Sequence, residues 1–426
     1  MLVAGEASGD KHGAALALAL RELCPGPGLE LFGAGGREMR GASVETIVDS
    51  QKLGIIGIPE IIRALPEFYK AYKRLVSAAL RRPPDAVVLI DWPDFNLRLA
   101  RRLNNEGLKV VYYISPQVWA WRKHRIRAIR RSVKRMLVIL PFEEEFYRRE
   151  GVAVEYVGHP LSGAVRVTSS RQEFAGLHGL DARRPIIALL PGSRHKELHY
   201  HLPIMADAAG RLLDSRVDWA DEAIEDRNPL IGQSDRDRMV LEPKGSGTKG
   251  EPSLEASCGS ADAGPQFVVP LASTVDRAEV EALLGPAMER IRLIEQDTYN
   301  ALGHSLAAVV ASGTATVEAA LLGVPMVVVY RGSELNWRLI RPLIKLDTFG
   351  MANLIAGRRI VPELIQHEVT PEKIVSELTS ILTDRARFAQ IKQDLAIVRD
   401  RLSFRGAPPA QLAAQRVIEI ALARTV

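Results

Sequence analysis

The chain has 426 residues, 47% of them hydrophobic, with a formal net charge of +5 and two cysteines. Two cysteines supply no disulfide framework, and no apolar run approaches the ~20 residues that a helix needs to span a bilayer, which argues against a disulfide-stapled secreted module and a transmembrane helix. The charge is local: Arg122–Arg135 carries eight Lys/Arg and no acid, and the remainder would stand at −3. That patch suits nucleic acid, anionic lipid or a phosphorylated substrate, or is a solvated helix face.

Short apolar runs alternate with helical patterns from the start. Leu2–Ala4, Leu29–Phe32, Ala86–Ile90, Val110–Ile114 and Met136–Leu140 read as buried strands. His12–Leu23, Ile61–Leu80 and Leu97–Glu106 read as helices between them. The alternation predicts a doubly wound parallel sheet. The opening strand is short, which suggests a few residues missing ahead of it, and no signal peptide is visible. Gly5-Glu6-Ala7-Ser8-Gly9-Asp10 is a glycine-rich turn but not G-x-G-x-x-G, which argues against a dinucleotide site.

Asp91 follows the Ala86–Ile90 strand, at the edge where open α/β sheets bind ligands. An apolar surround raises a carboxyl pKa, which suits a general base. Asp94 and Asn96 come next, and either would serve as a cap for a helix starting near Leu97. Ser115-Pro116-Gln117-Val118-Trp119-Ala120-Trp121 ends another strand; its tryptophans either line an acyl or sugar site or pack at the surface.

Residues 157–161 read as a linker, and a second α/β series follows: Ile186–Leu190, Phe267–Val269, Ala307–Ala311 and Pro325–Tyr330. Ile186–Leu190 runs into Pro191-Gly192-Ser193-Arg194, and Ala307–Ala311 into Ser312-Gly313-Thr314. Each turn hands a buried strand to a helix whose N-terminus holds anions, and the pair suggests a nucleotide-diphosphate site. His195, His199 and His201 follow Arg194 without an acidic H-E-x-x-H pattern, so they read as surface histidines rather than zinc ligands. From about Asp214 to Pro265 the chain is polar and aperiodic, the mark of a disordered insertion. Its Asp235-Arg236-Asp237 mimics a metal-binding Asp-x-Asp but follows no apolar strand, so no metal site is expected. The last helix, Ala410–Ala423, is apolar on one face and expected to pack on the first domain.

Seven segments together resemble the lipid-A-disaccharide synthase family. They are Val3–Asp10, Ile90–Asn96, Ser115–Trp121, Leu190–Arg194, Ala311–Glu318, Tyr330-Arg331 and Asn353–Arg358, in family order along nearly the whole chain. The polar insertion and the trimmed first strand depart from the pattern. The resemblance implies an α/β GT-B fold, with two Rossmann-like doubly wound domains facing across a cleft. The boundaries expected are 1–163, membrane-facing and acceptor-binding, and 164–399, UDP-sugar-binding and interrupted at 214–265, with a helix in 400–426 returning to the first domain. It implies an inverting, metal-independent glycosyltransferase without cofactor. The donor would be UDP-2,3-diacylglucosamine and the acceptor 2,3-diacylglucosamine 1-phosphate. The products would be a β-1,6-linked disaccharide 1-phosphate and UDP. The setting implied is the cytoplasmic, peripheral face of a bacterial inner membrane, with inner-membrane lipids as partners, no nucleic acid, and room for a homodimer.

On this reading Asp91 takes the proton of the attacking hydroxyl, and Arg194 stabilises the leaving UDP. Gly192, Ser193, Ser312, Gly313 and Thr314 supply the phosphate turns, and Glu318 accepts from ribose hydroxyls. Tyr330 and Arg331 border the donor, while Asn353 and the Arg358-Arg359 pair sit on a loop closing over its phosphates. Glu6, Ser8, Asp94, Ser115, Gln117 and Trp119 face the acceptor. Ile55, Ile56 and Ile58, leading to Phe68 and Tyr69, form an interfacial segment. Two rivals share the scaffold: a UDP-sugar 2-epimerase, and a non-catalytic nucleotide-sugar sensor, against which Asp91 argues because binding needs no base.

Overall fold

The structure, a computed structural model, describes residues 1–5, 7–50, 58–120, 123–215, 264–272, 274–334, 337–338, 341–343, 347–403 and 406–423. The chain divides into two compact units: Met1–Ala164 with Pro342–Leu346 and Asp400–Val426, and Val165–Arg341 with Asp347–Arg399.

Among the described residues, the first unit holds seven strands: β1 (Leu2–Ala4), β2 (Phe32–Gly35), β3 (Glu45–Asp49), β4 (Val87–Ile90), β5 (Val110–Tyr113), β6 (Arg135–Val138) and β7 (Val154–Tyr156). Their order is β3-β2-β1-β4-β5-β6-β7, and every pairing is parallel. The chain winds outward from β1 to β3, then restarts at β4 on the other side. The switch point therefore lies between β1 and β4, and ligands of such sheets bind at its carboxyl end. Side chains of β1, β4 and β5 are at most 1% exposed, because helices cover both faces of a parallel sheet. Truncating such a residue, Leu89→Ala for instance, costs about 2–5 kcal/mol. Gly33 sits at φ +152°, and a Cβ there would stand 1.8 Å from the Leu2 carbonyl oxygen. Only glycine lets β2 approach β1 at this position, and β2 begins at Phe32 rather than ending there. The helix Pro409–Leu422 buries Ala413, Ala414 and Val417 in one core with Leu16, Ala17 and Leu20 of the helix Ala7–Leu23.

The second unit holds β8 (Ile186–Leu190), β9 (Gln266–Leu271), β10 (Ile291–Glu295), β11 (Ala307–Ala311), β12 (Met326–Tyr330) and β13 (Glu363–Ile365). The order is β10-β9-β8-β11-β12-β13, again all parallel. Here the switch point falls between β8 and β11.

Of the polar insertion, only Asp214, Ser215, Gly264 and Pro265 are among the described residues; Asp235-Arg236-Asp237 lies outside them. Both flanks are tied down. Asp214 accepts from Arg290 at 2.8 Å, and the Gly264 carbonyl from Arg184 at 2.9 Å. A Cβ on Gly264 would lie 4.0 Å from Leu213 Cδ2. The ends therefore meet, and loop closure costs only about 0.6 kcal/mol per doubling of length. Replacing 216–263 by a few Gly/Ser residues should leave the melting temperature within a few degrees of the parent. A shortened chain that fails to fold would show that the segment is part of the core.

Candidate functional site

In the first unit, candidate residues gather at the carboxyl edge beside the switch point. Asp91 and Trp92 leave β4 with φ of 47° and 52°, and Ile114 leaves β5 at 64°. Half of the six non-glycine residues with positive φ among those described are therefore on two neighbouring strand ends. Each costs roughly 1–3 kcal/mol and persists only where its surroundings impose it. The Asp91 carbonyl accepts from Tyr112 Oη at 2.6 Å and Asn96 Nδ2 at 2.8 Å. The Trp92 ring stacks on Phe95 with centroids 4.0 Å apart. It also fills the space over Gly5, where a Cβ would be 2.0 Å from Trp92 Cδ2. The backbone strain turns Asp91 out of the strand at the edge where a ligand would lie.

Two cap readings need correction. The helix begins at Pro93 with Trp92 as its cap residue and no side-chain cap, so Asp94 and Asn96 are inside it. Asp94 instead pairs with Arg125 from the basic segment. Asn96 is fully buried, and its amide also reaches the Ile90 carbonyl at 3.2 Å, tying the strand end down. Asp10, in the glycine-rich turn, is 1% exposed and accepts from the N–H groups of Gly36, Glu38 and Met39. It anchors the Arg37–Gly41 helix. Ser8 is exposed in the first turn of its helix, and Glu6 lies outside the described residues.

Ser115 and Trp119 are buried, Gln117 is exposed, and Trp121 lies outside the described residues. Ser115 Oγ meets Tyr147 Oη at 2.8 Å. Trp119 Nε1 donates to Glu143 Oε1 at 3.0 Å, so its ring is oriented from inside. Sequence reasoning missed Glu143, which sits in a Pro-Phe-Glu-Glu-Glu run that reads as a wet helix start. It is 1% exposed, and burial pushes its carboxyl up to about 7 against hydrogen bonds from Trp119, Ser115 and the Leu140 amide. It locks the 115–120 turn to the end of β6.

In the second unit, Pro191–Arg194 follows β8 and Ser312–Thr314 follows β11, side by side at the switch point. Gly192 takes φ +119°, and a Cβ there would meet Glu197 Oε2 at 2.4 Å. That carboxylate accepts from Ser193 N at 2.9 Å and Arg194 N at 3.3 Å, and Arg194 Nη1 meets its other oxygen at 3.1 Å. The two amides expected to meet a phosphate are thus held by Glu197. Ser312 is likewise engaged: its N–H donates to Val329 O at 2.8 Å and its Oγ to Phe349 O at 2.9 Å. The helix Thr314–Leu321 starts after Gly313 with no side-chain cap. Gly313 and Thr314 are exposed there, so this end is open to an anion.

His201 is not a surface histidine. It is 2% exposed, with Nδ1 2.9 Å from Pro191 O and Nε2 accepting from Arg331 N at 2.9 Å. The neutral ring ties the first phosphate turn to the end of β12. Tyr330 is partly exposed and stacks near Phe349, with Trp337 beside both. Burial raises the Tyr299 phenol, and the charge and hydrogen bond of Glu318 raise it further.

Asn353 and Arg358 do not form a closing loop. Asn353 is fully buried; its amide donates to Val361 O and Glu363 Oε1, and its oxygen accepts from Ile360 N and Val361 N. Arg358 pairs with Asp394 and precedes β13. Since β13 runs parallel to β12, residues 357–362 lie at the amino edge of the sheet, opposite the phosphate turns. The membrane expectation divides similarly. Phe68 packs on Trp92 and Phe95, with centroids 5.9 and 6.4 Å apart, whereas Tyr69 is 59% exposed. Ile55 and Ile56 lie outside the described residues, and the side chain of Ile58, which opens the helix Ile58–Arg81, is not described.

Buried histidines set the acid response. Burial pushes His12 and His159 down to about 4, and His201 down as well. The unfolded rings titrate near 6.5, so below that pH the unfolded chain takes protons that the fold refuses. Stability is then lost as pH falls from about 6.5 toward 4. Glu143 acts oppositely, holding its proton up to about 7, but one carboxyl does not offset three rings. Melting temperature should fall steadily between pH 6.5 and 4.5; a flat or rising profile would contradict this assignment.

Comparison with known proteins follows the same lines. The profile of the family described as lipid-A-disaccharide synthetase matches residues 1–221 and 260–416, breaking across the polar insertion. The lipid-A-disaccharide synthase of Koribacter versatilis is 42% identical over 425 residues, covering 99% of this chain and 98% of that one. That of Myxococcus xanthus is 40% identical over 420 residues, covering 99% and 97%. Among solved structures, the glycotransferase of kitacinnamycin superposes with a TM-score of 0.57 at 13% identity, and the UDP-GlcNAc 2-epimerase of Neisseria meningitidis, bound to UDP-GlcNAc, with 0.54 at 10%. Each comparison covers 98% of both chains, and at such identities it speaks for the fold alone. The fold is of the GT-B class, and the motifs, their places at two switch points and the full-length identity agree: this chain belongs to the lipid-A-disaccharide synthase family of glycosyltransferases.

Proposed function

We propose that the protein transfers 2,3-diacylglucosamine from UDP-2,3-diacylglucosamine to the 6-hydroxyl of 2,3-diacylglucosamine 1-phosphate, with inversion. The observation that carries the reading is Asp91, held by a strained backbone at the β1/β4 switch point. A sugar hydroxyl is a weak nucleophile. Asp91 takes its proton as the oxygen attacks the anomeric carbon, and UDP leaves from the opposite face. Negative charge then grows on the diphosphate. The N-terminus of the helix Thr314–Leu321 and Arg194 stabilise it. Glu197 occupies the Ser193 and Arg194 amides, so the donor displaces it, and the exchange releases Arg194 from its ion pair.

Both substrates carry acyl chains, which calls for a membrane-facing surface. No helix among the described residues is long and apolar enough to cross a bilayer. The helix Ile58–Arg81 does expose Leu65, Tyr69 and Leu80, with Lys73 over the Tyr69 ring at 4.5 Å. A groove of about 540 Å³ between Tyr69, Tyr72, Val76, Leu80 and Arg102 runs along it. Aromatic and aliphatic side chains beside bases suit an interfacial surface. Leu65→Ser with Tyr69→Ser should weaken binding to phosphatidylglycerol vesicles at least several-fold; unchanged binding by the folded variant would place the membrane contact elsewhere.

Mass spectrometry of the lipid product tests the reaction. A disaccharide monophosphate carrying both substrates' acyl chains is expected. A 2-epimerised UDP-sugar with no new disaccharide would favour the epimerase reading.

A further inference from the structure

We propose that His195, His199 and Glu279 form a binding site for a borderline divalent transition metal, represented by Zn²⁺. The two histidines are one turn apart on the helix His195–Asp214, and Glu279 comes from the helix Arg277–Leu284. One ligand atom from each lies within 4.8 Å of the others. A tetrahedral zinc with bonds of about 2.0–2.2 Å holds its ligands roughly 3.4 Å apart, so side-chain shifts of about 1 Å complete the site.

Two observations point to a cation. Glu279 Oε1 is shut off from solvent at the meeting point of the two imidazoles. Nδ1 of both imidazoles faces that same oxygen, His195 in close contact and His199 at 3.4 Å. His199 Nδ1 also lies 3.0 Å from the His195 carbonyl, a contact that gives way when Nδ1 turns to the metal. Two nitrogens and one carboxylate suit Zn²⁺, Ni²⁺ or Cu²⁺ and not Mg²⁺ or Ca²⁺, which prefer all-oxygen sets. Both rings are at least half-exposed or close to it, at 67% and 47%, which leaves a coordination position for water. The local sequence hides the site because its acid is 80 residues away, brought in by the β9 crossover.

The site has a structural consequence. His195 directly follows Arg194, and Thr274 Oγ1 already donates to Ser193 O at 3.0 Å. A bound metal pins the start of the phosphate-turn helix to the Arg277–Leu284 helix. This is independent of the metal-free chemistry proposed above, since neither Asp91 nor the Thr314 helix end takes part.

The test is calorimetric titration of ZnCl₂ into the full chain, free of an affinity tag, stripped with chelator and dialysed at pH 7.5. One zinc per chain is expected, with His199→Ala and Glu279→Gln each weakening it at least tenfold. Ni²⁺ should compete, and excess Mg²⁺ should not. Zinc should raise the melting temperature of the parent and not of Glu279→Gln. Zinc binding that survives undiminished in both folded variants, or a parent that binds none, would overturn the proposal. Should one variant fail to fold, the other decides alone.

Discussion

Asp91→Asn should lower turnover by roughly 10²–10⁴-fold, the usual range for a lost general base, while the fold persists. The amide is nearly the size of the carboxylate, and the atoms holding this turn belong to the backbone. Tyr112 and Asn96 both grip the Asp91 carbonyl, not its side chain. Trp92 is held by Phe95 and by the space over Gly5. The substitution therefore removes the proton acceptor while leaving these backbone contacts in place. At about 1.4 kcal/mol per decade, the loss corresponds to roughly 3–5 kcal/mol of transition-state stabilisation. The Kd for UDP should not change, because UDP is assigned to the other unit. Near-normal turnover in a folded Asp91→Asn protein would remove Asp91 from the chemistry and turn attention to Glu6.

Arg194→Ala should cost roughly 10²–10³-fold in turnover, by analogy with removing one donor to a developing oxyanion, and should also weaken UDP binding. Lysine should rescue poorly, since a point charge does not reproduce the planar fork of the guanidinium. The structure adds a second arm. Arg194 now pairs with Glu197, whose carboxylate also holds the Ser193 and Arg194 amides. If a diphosphate takes these donors, Glu197 competes with it, and Glu197→Gln should tighten UDP binding. Steady-state kinetics and UDP titration read both arms. Full activity in Arg194→Lys would show that charge alone matters there. Weaker UDP binding in Glu197→Gln would make the glutamate a support of the turn rather than a competitor.

What could be read from the sequence follows burial. Most central strands stood out as apolar runs, and β8 and β11 match residue for residue, whereas β2 was placed three residues early. The four strands that were not legible are β3, β7, β10 and β13, the edge strand on each side of each sheet. An edge strand is partly wet, so it lacks that run; β10 reads Ile-Arg-Leu-Ile-Glu with its second and fifth residues exposed. At the site, single positions after a strand end, such as Asp91 and Gly192, were legible because strand direction alone places them. Pairings across the sequence were not. Asn353 gave no sign of being consumed by Val361 and Glu363, and the sequence around His201 did not show that it bridges Pro191 and Arg331. Glu143 was hidden by neighbours Glu144 and Glu145, which are exposed enough to make ordinary ion pairs with Arg148 and Arg149.

The proposed reaction stands or falls on transfer to a lipid acceptor. It is tested most directly by measuring UDP release from UDP-2,3-diacylglucosamine with and without 2,3-diacylglucosamine 1-phosphate. UDP release is expected only when acceptor is present, in step with disaccharide formed. Equal UDP release without acceptor, or none under either condition while the donor sugar epimerises, would contradict it.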